Sequence, residues 1–275
     1  MPLAPRLFLI ALLLGVRASL GATPALGDGE ALTYRVGWGI FYHAGEIQIG
    51  AHAAPPESGQ PRLRVTTTTS THGFAKALYT FEARGDALFD VTTGRLLSTE
   101  ETSKSESKQT KNSVLFDYAK SSASYVNEIN PAKSATLVMP AGEPMDLIMS
   151  LVQTRSWNLK PGEKRDALVI FDDEFYELTI HAEAYEEVTT PLGTFNTLLL
   201  VPRMEKTPPK GMFKRGSGVK VWISQDQLRL PVKFQVEFNF GSGVASLIDY
   251  QLPSAPTATP PTVPDSKPPA AKASP

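Results

Sequence analysis

From Val232 to Phe240 the chain alternates, with Val232, Phe234, Val236, Phe238 and Phe240 apolar and Lys233, Gln235, Glu237 and Asn239 polar. Successive strand side chains project to opposite faces, so this run sets five apolar groups on one side and four polar groups on the other. The same template recurs along the chain. Tyr34, Val36, Trp38, Ile40 and Tyr42 alternate with Thr33 and Arg35, and Ile47 and Ile49 with Glu46 and Gln48. Tyr176, Leu178, Ile180 and Ala182 alternate with Phe175, Glu177, Thr179 and His181, and Val219, Val221 and Ile223 repeat the pattern. One-faced strands of this kind belong to antiparallel sheets with one wet side.

Turn signals separate the runs, among them Pro55-Pro56-Glu57-Ser58-Gly59, Thr93-Gly94, Pro191-Leu192-Gly193 and Gly241-Ser242-Gly243. The spacing predicts about ten to twelve strands in a continuous series of hairpins, as in a sandwich, barrel or strongly curved sheet. A single β domain over residues 28–252 is expected. One segment changes period: Met145, Ile148, Leu151 and Val152 recur at three- and four-residue steps. With Pro144 suited to a first helical position and Pro161-Gly162 as a stop, the pattern predicts one helix of about twelve residues from Met145 to Trp157. A shorter helical turn is expected around Gly73 to Leu78.

Both ends read differently. Arg6 precedes the ten-residue apolar stretch Leu7 to Val16, too short to span a bilayer and typical of a secretory leader. Cleavage is expected after Ala18, Ala22 or Gly27, leaving no transmembrane anchor. The C-terminal segment 253–275 carries eight of the 23 prolines and is expected to be a disordered, partly polyproline-II tail. The 275 residues contain no Cys, which removes disulfides, thiolate metal sites, cysteine nucleophiles and lipid attachment through a leader cysteine. A net charge of -1 gives no whole-molecule reason to expect nucleic acid as a partner.

Catalytic motifs are sparse. His43, His52 and His181 alternate onto polar faces and His72 precedes Gly73; none has HExxH or i, i+4 spacing, so no metal or other cofactor is expected. Gly216-Ser217-Gly218 and Gly241-Ser242-Gly243 lack the frame of a nucleophile elbow. Asp172-Asp173-Glu174 is the dense acidic cluster, and Lys206, Lys210, Lys214 and Arg215 form an interrupted basic run. Ser103 to Lys111, polar on both faces, is expected to be an exposed strand extension. The large rings are more suggestive. Trp38, Phe41, Tyr42, Trp222 and Phe234 are the candidate ligand-binding set, with Trp222 out of phase with Val219, Val221 and Ile223 and so directed to the wet side.

Thr190-Pro191-Leu192-Gly193-Thr194-Phe195, then Val221-Trp222-Ile223-Ser224, Asp226, Arg229-Leu230-Pro231-Val232 and Gly243-Val244-Ala245 occur in a fixed order. So do Leu32-Thr33-Tyr34 with Trp38 and Gly45, and Asp146 to Leu151 with Arg155 and Gly162. This pattern, over about residues 30–250, resembles the domain-of-unknown-function 3108 family of exported bacterial proteins. The resemblance implies a Gram-negative envelope protein, periplasmic after leader removal, with a curved antiparallel sheet of half-barrel or clam shape and one packed helix. The stretch opening Leu230-Pro231-Val232 also looks like the final strands of the lipoprotein carriers LolA and LolB, half-barrels that hold acyl chains. That likeness is at the level of fold.

The expected function is non-catalytic binding or carriage of an apolar or amphiphilic ligand, with a lipid-like or hydrophobic small molecule as partner. One alternative is a hydrolase acting on envelope glycan or lipid, with Asp172, Asp173, Asp226 and Arg229 as its polar site. Another is an assembly factor with an envelope protein as partner.

Overall fold

The computed structural model describes residues 24–209, 213, 218–238 and 241–254. The apolar stretch Leu7 to Val16 expected to be a leader, the expected tail from residue 255, Lys210, Lys214, Arg215 and the Asn239-Phe240 end of the alternating run lie outside the described residues.

Fifteen strands form one sheet. The first eight are β1 (Ala31–Trp38), β2 (Phe41–Glu57), β3 (Gln60–Thr71), β4 (Phe81–Asp90), β5 (Leu96–Ser105), β6 (Gln109–Asp117), β7 (Ser122–Asn127) and β8 (Ala135–Val138). The others are β9 (Pro144–Asp146), β10 (Lys164–Phe171), β11 (Glu174–Thr190), β12 (Gly193–Arg203), β13 (Val219–Ser224), β14 (Pro231–Phe238) and β15 (Gly241–Gln251). Spatially the order runs from β8 back to β1, then from β15 back to β9. Chain-adjacent hairpins therefore build two arms, and the antiparallel β1–β15 pair joins them. The count exceeds the ten to twelve strands expected, because edge strands such as β8 and β9, of four and three residues, are too short to show alternation.

β9 runs parallel to β10, and every other strand pair is antiparallel. The sheet curls so that β9 abuts β5, but its edges β8 and β9 are not hydrogen-bonded to each other. Side chains link the arms at this seam. Asn112 Nδ2 donates to Asp172 Oδ1 at 2.9 Å, and Arg95 Nε lies 3.2 Å from Glu143 Oε1.

Inside the curl lies α2 (Leu147–Val152), half the predicted helix. Met145 belongs to β9, opposite Val169, and Asp146 is the N-cap whose Oδ1 accepts from Met149 N at 2.8 Å. Pro144 is thus a strand residue and not the first of the helix. After Val152 the chain tightens into a 3-10 turn, Gln153–Ser156. Ser150, Thr154 and Ser156 hydroxyls each donate to the carbonyl three residues back, which competes with continued α-helix. The second expected turn is present as α1 (Gly73–Leu78) between β3 and β4.

α2 divides the core. Met149 and Val152 pack with Leu32, Tyr34, Phe89 and Leu96 of the first arm, while Leu151 and Trp157 pack with Leu178, Ile180, Leu198 and Val221 of the second. Burying a Leu or Phe fully contributes about 1.5–3 kcal/mol, so both interior rows bind the helix strongly.

Candidate functional site

Register across β3 to β6 stacks side chains in rows on the inner face, because directly opposed residues point the same way. One row, Val65, Ala87, Thr99 and Val114, is almost wholly apolar. The next is Thr67, Gly85, Glu101 and Asn112, and beyond it come Thr69, Ala83, Ser103 and Thr110. The face turns polar as it runs toward the β5–β6 hairpin, and the core does not fill it there. A cavity of about 320 Å³ opens between these rows and the start of α2, with Phe81, Leu147, Ile148 and Phe171 as its large apolar lining. That size falls within the range of small-molecule sites. Gly85 supplies the space beside Glu101: a Cβ there would lie 4.0 Å from Glu101 Cγ.

Five acidic residues line this cavity, Asp86, Glu100, Glu101, Asp146 and Asp172, and two of them, Glu101 and Asp146, are pushed above the ordinary carboxylate range. Burial, assisted by the charges of Asp146 and Asp172, raises Glu101 from the ordinary glutamate range to about 7. Burial likewise raises Asp146 to about 6, against the lowering effect of backbone N–H groups that include Met149. Asp172 holds the bond from Asn112 and sits at a left-handed backbone position, φ 52°, in the β10–β11 turn. Near neutral pH the cavity thus holds a carboxyl that can accept or donate a hydrogen bond. Sequence reasoning missed Glu101 because its neighbours Glu100, Thr102 and Lys104 hide a polar inner row inside a polar segment.

The residues singled out by sequence do not form one site. Trp38, Phe41 and Tyr42 stand at the β1–β2 hairpin tip, where Phe41 stacks on Phe74 with ring centroids 5.8 Å apart. Tyr42 is 73% exposed, with the Arg35 guanidinium 4.0 Å over its ring. Phe234 lies inward, its ring 5.1 Å from Tyr34. Trp222 does point away from Val219, Val221 and Ile223, yet it is buried: Nε1 donates to Glu186 Oε2 at 2.7 Å and Lys233 Nζ sits 4.4 Å over the ring. None of these five lines the cavity.

The polar set also separates. Asp172 lines the cavity with Asp173 next to it in the β10–β11 turn. Asp226 Oδ1 organises the β13–β14 turn by accepting from Ser224 Oγ, Leu228 N and Arg229 N. Arg229 donates to the carbonyls of Arg155 and Trp157, fastening that turn to the 3-10 segment. Asp226 and Arg229 thus hold the β13–β14 turn in place, while Asp172 and Asp173 sit in the β10–β11 turn. His181 pairs with Glu205 at 2.7 Å, and Lys206 with Asp166 at 2.8 Å.

The fold and cavity define an unclosed, barrel-like antiparallel sheet wrapped round a short helix. The model of the family described as "Protein of unknown function (DUF3108)" matches residues 33–248, and the chain belongs to that family. No curated protein sequence matches the chain. Among solved structures it is similar to a beta-barrel-like protein of domain of unknown function DUF1849 from Brucella abortus. The TM-score is 0.52 at 7% identity, covering 84% of this chain and 100% of that one. Weaker similarity joins it to a structure described as a lipoprotein from Parabacteroides distasonis, with TM-score 0.36, 9% identity, and 83% and 99% of the two chains covered. A structure described as an exported protein from Bacteroides fragilis gives TM-score 0.33 and 10% identity, over 83% and 98% of the two chains. The Brucella abortus structure shows the shared fold. Among the described residues no helix is long and apolar enough to cross a membrane.

Proposed function

We propose that this chain is a periplasmic envelope protein that binds a small amphiphile in the cavity without transforming it. The ligand's apolar part lies against Phe81, Leu147, Ile148 and Phe171, and a hydrogen-bonding head reaches Glu101. The observation that carries this reading is the two-sided chemistry of the cavity, apolar at the helix and at Phe81 and Phe171, ionisable at Glu101. Small-molecule sites set apolar lining beside polar groups that fix the ligand's orientation, and here Phe81, Leu147, Ile148 and Phe171 face a rim that includes Glu101, Asp172 and Asp146.

The test uses N-phenyl-1-naphthylamine, a neutral amphiphile with one N–H donor, whose fluorescence rises in apolar surroundings. The exported protein is also examined by native mass spectrometry for retained lipid. Saturable probe binding that is lost in Gly85→Leu, which fills the hollow while keeping a strand-compatible residue, supports the reading. Equal probe response in both proteins, with no retained lipid, sinks it.

A second reading has its own observation. Glu101 titrating at about 7 near Asp172 is the arrangement a general acid needs, as in hydrolysis of an envelope glycan or lipid. Turnover of envelope extracts by the wild type but not by Glu101→Gln would favour it over carriage.

A further inference from the structure

His43, Glu46 and His72 come from separate parts of the sequence and meet at the end of the β2–β3 pair. The register sets Glu46 opposite Ser70, and the bond from His72 N to Ala44 O, at 2.9 Å, carries the pairing one step further. Gly45 lets the two strands approach closely: a Cβ there would stand 2.5 Å from Ser70 O. Immediately after His72, Gly73 takes φ +54° and turns the chain into α1, so His72 ends its strand beside β2. The ring centroids of His43 and His72 are 5.4 Å apart, and one ligand atom from each of His43, Glu46 and His72 lies within 4.8 Å of the others.

We propose that these three residues form a site for a divalent transition-metal ion, with Zn²⁺ as its natural occupant. Two imidazoles and one carboxylate suit Zn²⁺ and its neighbours in the transition series, not the all-oxygen shells of Ca²⁺ or Mg²⁺. Tetrahedral ligands about 2.0–2.1 Å from zinc stand about 3.4 Å from one another, so the observed cluster needs only small side-chain rotations to close. His43 is exposed and has room for that movement.

Outer partners are already present. Ser70 Oγ lies 2.9 Å from His72 Nε2, and Gln48 Nε2 donates to Glu46 Oε1 at 2.7 Å, orienting the carboxylate. Three protein ligands leave a fourth position for water or a small anion. Glu46, Ser70 and His72 lie one residue out of phase with Thr69 and Thr71, and none of the three ligands lines the cavity, so the site is independent of the amphiphile reading. The sequence concealed it because the spacings, three and twenty-six residues, match no linear metal motif.

The experiment is equilibrium dialysis and isothermal titration of the tag-free exported chain with Zn²⁺, followed by Co²⁺ substitution. The expected result is one ion per chain and the visible bands of four-coordinate Co²⁺. His43→Gln, Glu46→Gln and His72→Ala should each weaken binding by about tenfold or more. His52→Ala and His181→Ala should leave it unchanged. His43→Gln alters only an exposed side chain, so its loss of binding is not a folding effect. Absence of stoichiometric binding overturns the proposal, as does binding that survives His43→Gln and Glu46→Gln or disappears in His181→Ala.

Discussion

Arg155 Nη1 donates to Glu30 Oε1 at 2.5 Å across 125 residues of chain, with side chains only 12% and 4% exposed. Glu30 also accepts from Tyr250 Oη and Gly27 N, both at 2.9 Å, while Arg155 Nη2 donates to Leu228 O at 2.7 Å. One ion pair thereby joins the start of the fold, the end of the 3-10 turn, the β13–β14 connection and the last strand. Truncating one partner leaves the other charge buried and unpaired, so Arg155→Met should cost about 3–5 kcal/mol in urea unfolding. Arg155→Met with Glu30→Leu should recover much of that loss. A cost under about 1 kcal/mol for the single variant would refute this account.

The same corner discriminates among the cleavage points expected for a secretory leader. Leu26 is 3% exposed in the core, and Ala25 O accepts from Arg155 Nη1 at 3.4 Å. Cleavage after Gly27 would discard both contacts, whereas cleavage after Ala18 or Ala22 keeps them. Intact-mass analysis of the exported protein should show a chain beginning at Ser19 or Thr23. A chain beginning at Asp28 would mean that Leu26 is dispensable.

Glu101 should make the fold less stable as pH rises. Its folded pKa of about 7 lies above the ordinary 4.5, so between these values the folded state holds a proton that the unfolded state has released. Stability is greatest below about pH 4.5 for this group and declines until about pH 7, by on the order of 2–3 kcal/mol. Asp146, raised to about 6, acts in the same direction over a lower window. Glu101→Gln keeps the neutral form, so its unfolding free energy should exceed that of the wild type at pH 8 and match it at pH 4.5. A parallel pH profile for the two proteins would show that Glu101 ionises freely.

The alternation of β1, β11, β13 and β14 was legible because one face of each meets the core and the other is more polar. The helix was half legible: its period was visible, but the hydroxyls of Ser150, Thr154 and Ser156 that convert its second half to a 3-10 turn act below the level of pattern. The cavity was not legible. Its rows cross four strands, and Glu101 becomes interior only through register with Gly85 and Asn112. Aromatic residues attract attention in a sequence, yet Trp38, Phe41 and Tyr42 gather at a hairpin tip, where curvature of the sheet never brings them inside.

Gly45→Ala tests the close approach of β2 and β3. The added methyl would meet Ser70 O, a backbone atom that cannot rotate away, so the strands must part at a cost of about 1–3 kcal/mol. Parting them also separates Glu46 from His72, and Zn²⁺ affinity should fall with stability. The readouts are thermal unfolding and Zn²⁺ titration below the melting range; unchanged values in both would show that the approach is looser than described.

Trp222 separates structural from ligand-binding roles. Its Nε1–H satisfies Glu186 Oε2 and its face carries the Lys233 ammonium, both on the side of β13 away from Val221. Trp222→Phe keeps most of the apolar bulk but removes the donor, which should cost about 1 kcal/mol in denaturant unfolding. N-phenyl-1-naphthylamine binding should persist, because the cavity is lined from β3 to β6, α2 and the β10–β11 turn. Gly85→Leu should show the reverse, losing the probe with the indole contacts intact. If Trp222→Phe abolished probe binding at unchanged stability, the ligand would lie on the Trp222 side of the sheet and the cavity beside Glu101 would not be its site.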